Sequence, residues 1–179
     1  VSGLRSGKIM KMVGGLKNKR MKKETKTKVT LLFGRICSGK SSYRSDELIP
    51  RIQVSTLVRS VIADFAATRD QLQDTMHLDN LIANSIIQNV DIYEASYGRG
   101  VIVDGIRQVS IVEKVLEKYP DAILVWLEVS EEERRRRYES RGDAKDVEPF
   151  EIADNKAIEL ECQKIFSTFK DHLKIINNI

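Results

Sequence analysis

Gly34-Arg35-Ile36-Cys37-Ser38-Gly39-Lys40-Ser41 follows the apolar run Val29-Thr30-Leu31-Leu32-Phe33 and leads into a helix-compatible segment, 42–48. Strand, glycine-bounded loop, helix, with the spacing G-x-x-x-x-G-K-[ST], is the pattern of a phosphate-binding loop. Each position has a physical reason. Gly34 and Gly39 allow tight turns, so the N–H groups of Arg35, Ile36, Cys37, Ser38, Gly39 and Lys40 can point into one concavity and meet phosphate oxygens. A helix opening at Ser41 and Ser42 would add its positive dipole end. Lys40 can reach the β- and γ-phosphates of a nucleotide, and the Ser41 hydroxyl can complete the coordination of a magnesium ion.

Working outward, 179 residues suit one domain with a real core. A hydrophobic fraction of 41% beside a charged fraction of 31% describes an ordinary soluble chain, and no apolar run is long enough to span a membrane. Cys37 and Cys162 form no metal-ligand spacing, which points to a reducing, cytoplasmic compartment, the host's if the chain is viral. The net charge of +4 is unevenly spread. Residues 1–30 hold ten lysines or arginines against the single acid Glu24, which leaves −5 on the remainder. Residues 1–28 show no helical or strand period and read as a basic, disordered tail ahead of a domain spanning 29–179. A nucleic-acid arm and a plain solvated tail, or an upstream extension ahead of a start at Met21, are its open readings.

The rest of the chain alternates. Arg51-Ile52-Gln53-Val54 reads as a short strand, and Ser55 or Thr56 can cap a helix through Leu57, Val58, Val61, Ile62 and Phe65. A second helical stretch starts near Arg69 or Asp70, and a third covers 78–95. Val101-Ile102-Val103-Asp104 is a buried strand ending in a carboxylate. A helix over 109–119, a strand over 122–129, a helix capped by Ser130, a polar break at 142–149, one long helix over 150–169 and a last strand at 173–176 complete the order. Strands separated by helices predict an α/β three-layer fold with a parallel sheet and helices on both faces. Ligands of such sheets bind beyond the carboxyl ends of the strands. The loop and Asp104 both stand at such ends, and Asp104 there suits a magnesium shell reached through water.

The segment after the 122–129 strand is dense in arginine. Arg134, Arg137 and Arg141 share one helical face and could close positive charge over a transferring phosphoryl group. Glu131–Arg135, Glu132–Arg136 and Glu133–Arg137 are also spaced as surface ion pairs. Arg137 and Arg141 are the expected catalytic pair; Arg135 and Arg136 are expected to be solvated.

From Val29 onward the chain resembles the P-loop kinases of nucleotides and related small molecules: adenylate kinase, deoxynucleoside monophosphate kinase and dephospho-coenzyme A kinase. The loop at 34–41 carries the most specific match. Val54-Ser55-Thr56-Leu57-Val58-Arg59 is similar to the segment whose arginine grips the acceptor phosphate. Val101-Ile102-Val103-Asp104-Gly105-Ile106-Arg107 is similar to an Asp-Gly…Arg segment, one residue shorter here, and 126–143 resembles the strand, Arg-rich helix and lid. Arg69-Asp70-Gln71-Leu72-Gln73 resembles an Arg…Leu-Gln segment of two of these branches. The resemblance implies a roughly five-stranded parallel P-loop fold with a short lid over 142–149. It implies ATP-Mg2+ as phosphate donor, Lys40, Arg137 and Arg141 on the developing charge, and Arg59, Arg69 and Arg107 on a nucleotide-like acceptor.

The acceptor stays open. A phosphate acceptor needs no general base, whereas a hydroxyl acceptor benefits from a placed carboxylate. Val54-Ser55-Thr56 lacks the acidic pair that dephospho-coenzyme A kinases carry there, which leaves Asp64, Asp70, Asp74 and Asp104 as base candidates. A (deoxy)nucleoside monophosphate is the preferred acceptor. The alternatives are the hydroxymethyl group of 5-hydroxymethyluracil in DNA, with the basic tail as a DNA contact, and a P-loop switch that transfers phosphate only to water.

Overall fold

The structure, a computed structural model, describes residues 28–44, 47–64, 75–142 and 148–178. The expected tail over 1–27, the helical start near Arg69 or Asp70, and most of the expected lid lie outside these residues. Among them no helix is long and apolar enough to cross a membrane.

The central strand is β1, Val29–Phe33, every residue of which is buried. A strand buried on both faces reads as a continuous apolar run rather than an alternation. Beside it lie β2 (Arg51–Gln53), β3 (Val101–Asp104), β4 (Ile123–Glu128) and β5 (Leu173–Asn177), all parallel, in the order β2-β3-β1-β4-β5. The chain leaves β1 towards one edge and leaves β3 towards the other. The crevice between the carboxyl ends of β1 and β3 is therefore a topological switch point, where α/β sheets bind ligands. Leu32 pairs in register with Asp104, so the two strands end level.

The helices are α1 (Val54–Asp64), α2 (Thr75–Tyr97), α3 (Val109–Lys118), α4 (Glu131–Arg141), α5 (Phe150–Asp154) and α6 (Ala157–Phe169). This is the expected three-layer α/β P-loop-type fold with helices on both faces of the sheet. The faces differ in thickness. Val29, Leu31, Phe33, Val101, Val103 and Trp126 pack against Ile82, Ile86 and Val90 of α2, Ile111 and Val115 of α3, and Cys162 and Ile165 of α6. On the other face Leu32, Ile102, Val125 and Leu127 meet Tyr43, Ile49 and Ile176.

Three elements depart from the sequence reading. The 42–48 helix is replaced by a single 3-10 turn, Lys40–Ser42; Tyr43 is extended and Arg44 is left-handed at φ 50°. Arg51 supplies the reason. Its guanidinium donates to Lys40 O (3.0 Å) and Tyr43 O (2.5 Å), carbonyls that a continuing helix would need for its own N–H groups. Ser41 and Ser42 add hydroxyls that compete for backbone groups. The first-turn capping expected at Ser55 or Thr56 is displaced, because α1 already begins at Val54. The helix expected over 150–169 breaks at Asn155-Lys156, where Asn155 Nδ2 donates to Glu151 O and Lys156 is extended.

α4 forms as its sequence dictates. Ser130 Oγ accepts from Glu133 N at 3.2 Å, three glutamates occupy the positive first turn, and Gly142 ends the helix at φ 56°. Ser130→Ala should cost about 1 kcal/mol of stability, read as a lowered midpoint in a urea melt with an unchanged slope.

Candidate functional site

The loop between β1 and the 3-10 turn sits at the switch point. Gly34 has φ 147°, and a Cβ there would lie 2.4 Å from Ser38 Oγ and 2.9 Å from Leu127 O. Gly39 has φ 83°, and its Cβ would meet Asn178 Nδ2 at 2.4 Å. No other residue fits either place without displacing a neighbour. Cys37 adopts φ 57°, a left-handed conformation that costs a non-glycine residue roughly 1–2 kcal/mol. Among the described residues, the N–H groups of Gly39, Lys40 and Ser41 meet no acceptor, so three successive donors remain at the loop's mouth. They open a single 3-10 turn and no longer helix, so the helix-dipole contribution expected here is lost.

Lys40 turns back into the loop. Its Nζ donates to Gly34 O (2.7 Å), Arg35 O (2.8 Å) and Ser38 Oγ (3.3 Å). Burial, then the Arg107 charge, lower its pKa from 10.5 to about 8, against opposing pulls from Cys162, Asp104 and Glu159. The unfolded chain then binds the extra proton between about 8 and 10.5, so this group makes stability rise with pH across that window. Below it the strained ammonium is charged and available to an anion. Affinity for inorganic tripolyphosphate should therefore fall as pH rises from 7 through 8 to 9.5, and titration calorimetry should find that fall missing in Lys40→Ala.

Three elements hold the loop in place. Arg51 Nη1 bridges Lys40 O and Asp104 Oδ2 (3.2 Å), tying β2, the turn and the end of β3 together. From the opposite side Asp154 binds Arg35, through Oδ2 at 2.7 Å and its carbonyl at 3.0 Å, and also pairs with buried Arg134. Glu159 Oε2 accepts from Ile36 N at 2.9 Å, and its Oε1 lies 2.5 Å from Arg107 Nη1. Asp154 and Glu159, with Arg51, were not singled out by the sequence. Glu159 lies one turn before buried Cys162 on the inward stripe of α6, and a charge on an apolar stripe is the signal that marks it.

The expected site residues divide. Lys40, Asp104 and Arg107 surround the loop, Asp104 through Arg51 and Arg107 through Glu159. Arg137 joins them: its Nη1 lies 3.4 Å from where a Gly39 Cβ would stand, its Nη2 donates to Asn178 O (3.2 Å), and Asn178 Nδ2 donates to Ser38 O (2.9 Å). Arg141 lies at the exposed end of α4 with its guanidinium 5.7 Å from the Tyr138 ring centre. Arg59 is exposed on α1, 3.4 Å from Thr56 Oγ1. Ser41 and Ser42 are exposed on the turn. Arg69, Asp70 and Asp74 fall outside the described residues. The expected pairs of Arg135 with Glu131 and Arg137 with Glu133 form, but Arg136 pairs with Glu133 instead of Glu132. Arg135 also lies over Phe150 and pairs with Glu151, so it is less solvated than expected.

A cleft of about 640 Å³ opens beside the loop. The start of α4 lines it through Ser130, Glu133 and Arg137, and the end of β5 through Asn177 and Asn178. Its size suits a mononucleotide-scale ligand. A cleft of about 650 Å³ lined by Leu48, Pro50, Tyr93, Tyr97 and Arg99 lies towards the amino end of β3 and shares Arg51 with the loop's supports.

Magnesium, which such a loop expects, takes few protein oxygens and keeps several waters. Among the described residues no group of three or more His, Cys, Asp or Glu could enclose a metal. Asp104 and Ser41, the oxygens expected to face such an ion, stand at the end of β3 and on the 3-10 turn, and Arg51 already pairs with Asp104.

The fold is thus a parallel α/β fold of the P-loop type, with a glycine-bounded loop at its switch point. No family model and no curated protein matches the sequence. Among solved structures, the chain is similar to a gluconokinase from Sinorhizobium meliloti 1021, 15% identical, covering 86% of this chain and 83% of that one, with a TM-score of 0.46.

Proposed function

We propose that this protein is an ATP-dependent phosphotransferase that moves the γ-phosphoryl group to a nucleotide-like acceptor, a (deoxy)nucleoside monophosphate in the preferred reading. The observation that carries it is the convergence of Lys40, Arg107 and the Gly39–Ser41 amides on one loop at the switch point. Phosphoryl transfer asks little covalent chemistry of a protein; it needs positioning and positive charge in a poorly hydrated site. The loop from Gly34 to Ser42 would cradle the donor phosphates, and the cleft between Arg137 and Asn178 would take the base and ribose.

Arg107, with its charge against Lys40, would stand on the acceptor side, and Arg59 and Arg69 would complete that grip. Arg137 and Arg141 would counter charge on the transferring group. Ser41 and Asp104 would hold magnesium, which when bound supplies charge bridging the β- and γ-phosphates. An acceptor that is itself a phosphate is already ionised, and this spares the protein a general base; Asp104, engaged by Arg51, is then free of that duty.

The test is transfer of labelled γ-phosphate from ATP with magnesium to a panel of ribo- and deoxynucleoside monophosphates, dephospho-coenzyme A, and DNA with and without 5-hydroxymethyluracil. Label on one nucleoside monophosphate is the expected result. Label only in modified DNA would move the acceptor to a DNA hydroxyl. Free phosphate with no labelled acceptor would replace the kinase by a phosphate-releasing switch.

A further inference from the structure

The loop and the acceptor side come from different parts of the chain. Ile36 follows β1, whereas Arg107 belongs to the coil after β3. A single carboxylate joins them. Glu159 Oε2 accepts from Ile36 N at 2.9 Å, while Oε1 stands 2.5 Å from Arg107 Nη1. The second contact is an ion pair too oblique to count as a hydrogen bond to that buried nitrogen. Side-chain exposure is 6% for Glu159 and 19% for Arg107, so both charges are largely removed from water and depend on each other. Helix α6 carries Glu159 on its inward stripe and braces the same loop again at Cys162, whose Sγ lies 3.8 Å from Gly34 O.

We propose that Glu159 is a positioning residue that fixes Arg107 at a set distance beside the phosphate loop, so that the two grip adjoining phosphates of one polyanionic ligand. The inference rests on the reading of Arg107 as an acceptor-side arginine. A guanidinium has five N–H donors in a rigid fork, so an ion pair to Glu159 at Nη1 leaves further donors for a ligand. Aiming a donor before the ligand arrives removes an ordering cost from binding. Neither Ile36 nor Arg107 could set this distance alone, because each belongs to a separate connection.

Inorganic phosphates of different length test the spacing without reference to the true acceptor. Orthophosphate fills the loop alone; tripolyphosphate is long enough to extend from the loop to Arg107, which shares one carboxylate with Ile36 N. Titration calorimetry on the full chain should show the longer anion binding about tenfold more tightly, the worth of one charge-assisted hydrogen bond. Glu159→Gln should erase that preference. It should weaken orthophosphate by no more than about threefold, because the amide oxygen can still accept from Ile36 N. Adding Glu159→Gln to Arg107→Gln should then change nothing further. Glu159→Asp keeps the charge but is too short to touch both partners, and should also lose the preference; it serves if the amide variant does not fold. A preference that survives in either variant, or an equal loss for both anions, overturns the proposal. Failure of the unaltered protein to bind either anion would overturn the phosphate-loop reading as well, a result distinct from a failure confined to Glu159.

Discussion

Lys40→Ala is expected to lower phosphate transfer by two to three orders of magnitude, roughly the loss that follows removal of one charge-stabilising donor in a poorly hydrated site. The ammonium already stands among loop oxygens, on Gly34 O, Arg35 O and Ser38 Oγ, and burial holds its pKa near 8. A group so placed has lost much of its hydration before any phosphate arrives, so an incoming phosphate oxygen replaces carbonyl partners rather than a full water shell. The fold should survive. The charged form of Lys40 costs stability below pH 8, and its removal relieves that cost. Single-turnover transfer with a parallel thermal melt checks both halves. Transfer within tenfold of the unaltered protein would mean that the loop is not the donor site; a melt lowered by more than a few degrees would mean that Lys40 holds the loop together.

The largest effect on stability is expected at Asp154. Its carboxylate and the Arg134 guanidinium form a two-armed pair, with Nη2–Oδ2 at 3.1 Å and Nη1 on Oδ1, and their side chains are 5% and 3% exposed. Arg134 also lies 5.4 Å from the Phe150 ring centre. Asp154→Ala would strand this buried cation and remove the ion pair of Arg35 in the same step, leaving Arg35 its bond to the main-chain carbonyl of residue 154. Breaking one side of a buried pair costs about 3–5 kcal/mol, which in a chain of this size lowers the melting midpoint by roughly 10 °C. Replacing both partners with apolar residues, Asp154→Leu with Arg134→Met, should recover most of the loss, since no charge is then left buried. A small loss in the single variant, or no recovery in the double one, would show that the pair is not what secures α5 against α4.

Both expectations turn on residues that the sequence treats unequally. Lys40 is announced by spacing, because the pattern that suggests a phosphate-binding loop is packed into eight consecutive positions. Asp154 carries no such mark. In the sequence it is one residue of an apparently continuous helix over 150–169, and the structure ends that helix at Asp154. Arg134 was read with Arg137 and Arg141 as a face turned to ligand. The structure separates them: Arg134 of α4 is buried against Asp154 of α5, Arg137 lies against Gly39 and Asn178, and Arg141 stacks beside Tyr138.

The sequence by itself determined the elements whose signal is local. An unbroken apolar run makes β1, a carboxylate closes β3, Ser130 with three glutamates starts α4, and Gly142 stops it. From the alternation of strands and helices it also determined a parallel sheet with the loop at the carboxyl end of its central strand. Only the tertiary structure decided the order β2-β3-β1-β4-β5, the loss of the helix after the loop, the break at Asn155-Lys156, and the roles of Arg51, Asp154 and Glu159. The physical reason is distance along the chain. A period or a cap is written within a few residues, whereas Ile36 meets Glu159 across 123 positions and Arg35 meets Asp154 across 119. Such pairings are chosen by which buried charge finds a partner once the sheet has formed, and local propensity yields to them because a charge left alone in the interior costs more than a broken turn of helix.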